Sequence, residues 1–275
     1  MDPSAVYIFL LTIVSNFIQR TVGFGFGIFI MTMLPLLMPS YGEATTLSGL
    51  LALTTSATVT WKVRRDIQWR KLLPILATFS VVAIASIFCL KQMDDRLLRH
   101  ILGVVLIITA IWFSFFSRRI HIPATLPYMF GTGTLSGMMG GFFGMQGPPV
   151  VLYFLSSTKS KEEYMALVQP YILCGNVIMT VARGYNGFLT PMVGTDYCYG
   201  IGGVLIGVLL GSYVFKHIPP ASSSMSSMPI SAYRESSSSW NRPTKETGHR
   251  PNATTQRKKE MPNVPVYLNV NAIFK

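Results

Sequence analysis

Apolar runs of 16 to 20 residues recur along this chain and leave few folds open to it; Leu72–Leu90 and Leu97–Phe116 are the cleanest, and Thr45–Trp61 is a span rich in Thr, Ser and Ala. A helix needs about 20 apolar residues to cross the ~30 Å hydrocarbon layer of a bilayer. Only 12% of the 275 residues are charged, against about 25% in a soluble domain. The apolar-polar alternation of a membrane barrel is absent. The expected fold class is therefore an all-α polytopic membrane protein. Met1-Asp2-Pro3 lacks the basic start of a signal peptide, so the first helix is expected to remain.

Two of the apolar stretches are interrupted by glycine. The first runs from Asn16 to Pro39 and contains Gly23, Gly25 and Gly27; the second, Gly137 to Ser156, reads GMMGGFFGMQGPPVVLYFLS. Gly27 and Gly147 lie 120 residues apart, and so do Glu43 and Glu163. We read one helical unit used twice, each opening on a broken helix: residues 1–120, then 121–220, followed by a polar basic tail over 221–275. The second stretch is divided into a weakly apolar Ala124–Gly137 and an apolar Met138–Ser156. Arg183 to Gly187 reads as a turn, and Asp196 as a loop residue or, alternatively, a proton-coupling carboxylate.

The net charge of +12 is concentrated in short loops and the tail, a topology signal rather than a nucleic-acid patch. If each glycine stretch is a hairpin, ten or eleven Lys and Arg fall on one side of the membrane and four or five on the other. If each stretch crosses once, the split is eight against six. The positive-inside tendency favours the hairpin. An odd number of crossings per unit then makes the two units inverted copies.

No enzyme constellation is present. The four histidines are scattered without metal-ligand spacing, so neither a metal nor a cofactor is expected. Gly23-Phe-Gly-Phe-Gly27 lacks the strand–loop–helix context of a dinucleotide loop. Cys89, Cys174 and Cys198 are expected to be buried small hydrophobes.

The glycines carry the functional reading. Glycine lets backbone leave the helix and lets another group approach it. Non-helical backbone at membrane depth persists only where protein buries it or a wet cavity meets it. A helix restarting there offers free N–H groups and a positive dipole end, which suits an anion. Repeat-built transporters place substrate at such paired breaks. The alternative is that these glycines only let helices pack closely. The candidate substrate-binding set is Gly23, Gly25, Gly27, Arg20, Gly144, Gln146, Gly147, Asn16, Gln169 and Asn176. Arg20 is either an anion clamp or an interfacial residue. Gln146 is expected to line the site, since a buried amide there needs partners; Asn16, Gln19, Gln169 and Asn176 either line the same cavity or bond between helices. Glu43 and Glu163 are expected to cap helices at the surface.

These motifs resemble a known family. Gly23-Phe-Gly-Phe-Gly27 leading to Leu34-Pro35 and Glu43-Ala44 is similar to the first half of the TauE/SafE sulfite-exporter family, and Ser136 to Val150 to its second half. Gly211 to Lys216 resembles the end of the family's penultimate helix, and the likeness covers about residues 5–220. The resemblance implies a multi-pass carrier in the inner (plasma) membrane. It implies as substrate sulfite, a sulfonate or a related organosulfur anion, with protons as coupling ion. A non-transporting sensor or assembly subunit, and an inactive truncated product, are the rival readings.

The family's closing helix is missing after Pro220. Ser222–Ser239 instead has ten serines in eighteen residues. In a shifted frame, TCN serine codons supply Ile, Phe, Leu or Val, and the run reads as an apolar helix. The tail is expected to be a frameshifted remnant of that span, or else a disordered polar extension.

Overall fold

The structure, a computed structural model, describes residues 3–22, 24–115, 125–158 and 160–217. Within them the chain forms nine α-helices and no strand: α1 (Pro3–Val22), α2 (Phe26–Leu37), α3 (Tyr41–Val63), α4 (Trp69–Leu90), α5 (Asp95–Phe115), α6 (Leu126–Phe143), α7 (Gly147–Ser157), α8 (Lys161–Tyr185) and α9 (Pro191–His217). Among the described residues, Trp69–Leu90, Glu163–Tyr185 and Pro191–Gly211 are long and apolar enough to cross a bilayer; Ala5–Arg20 and Phe26–Leu37 are shorter apolar helices. The tail and its expected frameshift lie outside the described residues.

Helices α3 and α8 start in the same way. Ser40 is the N-cap of α3 and accepts a hydrogen bond from Gly42 N at 3.2 Å; Ser160 is the N-cap of α8 and accepts from Glu163 N at 3.1 Å. These serines do the capping. The two carboxylates expected to cap instead reach the start of another helix. Glu43 accepts from Thr190, just before α9, at 2.9 Å, and Glu163 accepts from Lys71 in the first turn of α4 at 2.8 Å.

Those contacts fix the helix directions. The end of α8 lies by the start of α3, where Gly42 meets Phe188, and the start of α8 lies by the start of α4. So α3 and α8 run antiparallel. Helix α1 runs beside α9 in the same sense, with Phe9 at Gly202 and Arg20 at Gly211. Helix α6 runs beside α4 likewise, with Gly133 at Ile75 and Gly141 at Ala83. As a result α1 and α2 enter and leave from one end of the bundle, and α6 and α7 from the other.

Two apolar clusters hold the bundle. One joins α2, α3, α5 and α9 through Ile30, Leu34, Leu47, Leu51, Leu98 and Val204. The other joins α4, α7 and α8 through Phe79, Val151, Phe154, Leu167 and Tyr171. The outer faces are apolar too: Val104, Ile107, Ile108 and Ile111 of α5 are all at least half exposed. Such a surface suits lipid.

Several local expectations change. Helix α6 continues past Gly137 to Phe143, because its glycines are packing positions against α4 rather than a break. Helix α8 continues through Arg183 to Tyr185, since carbonyl oxygens accept from that guanidinium within the bundle. Asp196 is helical and buried, five residues into α9, not in a loop. Cys89 and Cys198 are exposed on the outer face and Cys174 is half-buried, because apolar helix faces in this bundle need not turn inward.

Candidate functional site

Both openings break on a left-handed glycine. Gly25, at φ 105°, precedes α2, and Gly144, at φ 68°, follows α6. Only glycine takes this conformation without strain. At the second break Gly144 N bonds Gly140 O at 3.0 Å and Met145 N bonds Met139 O at 3.2 Å, a Schellman-type end. At the first, Phe29 N bonds Gly25 O at 3.1 Å. The N–H groups of Phe26, Gly27 and Ile28 therefore have no acceptor inside α2.

The breaks meet. A Cβ on Gly27 would lie 2.8 Å from Gly144 O and 3.4 Å from Met145 Cα, so only a bare α-carbon lets the strands of backbone touch. Beside this contact lies a cavity of about 30 Å³, enough for about two waters. It is bordered by Gln19, Gly25, Gly27, Gly144, Gln146, Gly147 and Asn176, with Phe24, Ala52 and Ile172 supplying apolar wall.

Three amides border the cavity. Gln19 Nε2 and Asn176 Nδ2 are buried donors without a partner. Gln146 Nε2 donates to Ile172 O at 3.0 Å, whereas Gln146 Oε1 is a buried acceptor without one. The Gln146 carbonyl accepts from Ser136, which also accepts from Tyr171 at 2.8 Å. The second helix start offers less than expected: Pro148 and Pro149 follow Gly147 and have no N–H. Backbone donors come chiefly from α2.

Of the expected set, Gly25, Gly27, Gly144, Gln146, Gly147 and Asn176 are brought together. Gly23 lies outside the described residues. Arg20 does not border the cavity; its stem lies against Gly211 of α9. Asn16 is buried between helices, donating to Thr12 O at 2.9 Å and accepting from Thr55. Gln169 is buried but does not border the cavity.

Sequence reasoning missed Arg183. It is 1% exposed, donating to Thr45 O at 2.9 Å and to Gly140 O and Gly141 O at 2.9 and 3.2 Å. The available signal was a lone arginine directly after an apolar run. A larger groove of about 770 Å³ between α5, α6 and α7 is lined almost wholly by apolar side chains such as Leu98, Trp112 and Phe142, and gives an anion little to bind.

Residues 8–225 match the family model described as sulfite exporter TauE/SafE. The chain is 22% identical over 215 residues to a Cupriavidus necator protein named "Probable sulfite/organosulfonate exporter TauE", covering 74% of this chain and 80% of that one. No solved structure matches. The chain is a multi-pass membrane protein of the TauE/SafE sulfite exporter family, a family of transporters and not of enzymes.

Proposed function

We propose that this chain carries sulfite, a sulfonate or a related organosulfur anion across the plasma membrane, binding it between the paired helix breaks. The observation that carries the reading is the pair of unpartnered buried donors, Gln19 Nε2 and Asn176 Nδ2, beside the free N–H groups at the start of α2. Buried donors left unmade are unfavourable by about 1–3 kcal/mol each, and an oxyanion is the ligand that satisfies several at once. Gln146 Oε1 adds one acceptor, which fits an anion that still carries an acidic hydrogen. The relative's printed name points to the same substrate class.

The two halves, 1–120 and 121–220, would act as inverted repeats. The antiparallel α3 and α8, and the matched pairs α1 with α9 and α4 with α6, support this. Alternating access would rock one half against the other around the cavity. Protons are the coupling ion we propose, and Asp196 is the buried carboxylate to test for that role.

A second reading rests on the place of α5, which packs on α2 and α3. Among the described residues, no helix holds the corresponding place against α7 and α8. If the tail is a frameshifted remnant, the chain is an inactive product; AGY codons through Ser222–Ser239 would exclude the frameshift. The test of function is a thermal-shift screen of purified protein with sulfite, simple sulfonates, sulfate and chloride. Stabilisation by sulfite or sulfonates above the other anions is expected, and no response to either would contradict the reading.

A further inference from the structure

Arg183 is the most deeply buried cation among the described residues, and the central cavity does not use it. It is 1% exposed, its Nη1 donates to Thr45 O and its Nη2 to Gly140 O and Gly141 O, and its Nε has no partner. Among the described residues no carboxylate pairs with it. A guanidinium taken out of water without a counter-ion is unfavourable by several kcal/mol. Carbonyl dipoles offset part of this, including the negative end of α6, and leave a full positive charge available to a mobile anion.

That charge is joined to the cavity by a polar stripe. Asn176, Thr180 and Arg183 stand at i, i+4 and i+7 on one face of α8. They face Gly49 of α3, where a Cβ would lie 3.3 Å from Arg183 Nη1, 3.7 Å from Thr180 Oγ1 and 4.0 Å from Asn176 Oδ1. Ser48 lies next to Gly49, and its Oγ lies 3.8 Å from where a Cβ of Gly144 would sit. Tyr41, at the start of α3, stands one turn before Thr45, whose carbonyl accepts from Arg183. The hydroxyls of Tyr41, Ser48 and Thr180 are all buried without a partner. Folded proteins give nearly all buried polar groups a hydrogen-bond partner; a row of unsatisfied hydroxyls ending at a cation with no counter-ion is what a transient anion would fill.

We propose that Arg183, with Tyr41, Ser48 and Thr180, forms a second anion subsite, through which the substrate passes between the central cavity and the end of the bundle where α3 begins. This rests on the transport reading above and adds the residue that supplies the charge. Its occupant is of the same chemical class, a small sulfur oxyanion.

The test places Thr180→Cys in a chain with Cys89, Cys174 and Cys198 replaced by serine, reconstituted in proteoliposomes. Labelling rates are compared for a sulfonate-bearing and a trimethylammonium-bearing methanethiosulfonate reagent. A cationic funnel should favour the anionic reagent by about tenfold or more, methanesulfonate should slow it, and adding Arg183→Met should remove the preference. Equal rates, no labelling, or a preference that survives Arg183→Met would overturn the subsite. The thermal shift with sulfite, measured on the unsubstituted chain, reports the central cavity separately. Its absence there contradicts the transport reading. A normal shift with charge-indifferent labelling contradicts the second subsite alone.

Discussion

The α-carbon of Gly27 rests against the carbonyl of Gly144, so that a Cβ would fall 2.8 Å from that oxygen. The neighbouring atoms are backbone and cannot swing aside. Gly27→Ala should force the two breaks apart, lowering stability by about 1–3 kcal/mol and reducing flux much more than membrane accumulation. Thermal unfolding of the purified variant and uptake by proteoliposomes check both halves of this expectation.

Gln146 fills the space over Gly175 on α8, where a Cβ would also meet Phe79 at 3.0 Å. Gly175→Ala should dislodge the Gln146 amide from Ile172 O, a loss of about 1 kcal/mol. Because the two residues share one space, Gly175→Ala combined with Gln146→Ala should be less damaging than the sum of the single changes. A double-mutant cycle by thermal unfolding measures the difference, and strict additivity would contradict the placement of Gln146.

Arg20 and Asn176 should separate in binding assays. Asn176→Leu removes an unpartnered donor at the cavity, and loss of a hydrogen bond to an anion, about 1.5–3 kcal/mol, predicts roughly ten- to a hundredfold weaker anion binding. Arg20→Ala removes a stem packed on Gly211 of α9. It should affect stability rather than the anion dissociation constant, as a sulfite titration of each variant will show.

The Lys71–Glu163 pair lies at 2.8 Å with the lysine side chain 52% exposed. Exposed pairs contribute about 0–1 kcal/mol, so Lys71→Ala should lower stability by less than that. Raising the salt concentration should shrink the difference further. A salt-independent loss would show that this joint between α4 and α8 depends on packing instead.

The sequence made the bundle legible because hydropathy alone specifies membrane helices, and the GFGFG and GMQGPP motifs marked both breaks. Glycine is ambiguous where its role depends on what approaches it. Gly133, Gly137 and Gly141 of α6, and Gly203, Gly207 and Gly211 of α9, meet carbonyls or side-chain stems of α4 and α1. Their four-residue spacing is a packing signal, and it explains why the break falls at Gly144 rather than near Gly137. Arg183 was hidden for a different reason. A basic residue after an apolar run reads as a membrane-edge residue, and only the meeting of α3, α6 and α8 shows its burial. Arg20 erred in the opposite direction, since its nearness in sequence to the glycines did not bring it to the cavity.

The central claim is that an anion binds between the two breaks, and uptake of radiolabelled sulfite by proteoliposomes tests it most directly. The unsubstituted chain should show saturable uptake, and Gln19→Leu combined with Asn176→Leu should abolish it while the protein still accumulates in the membrane. Uptake that is undiminished in the double variant would contradict the account.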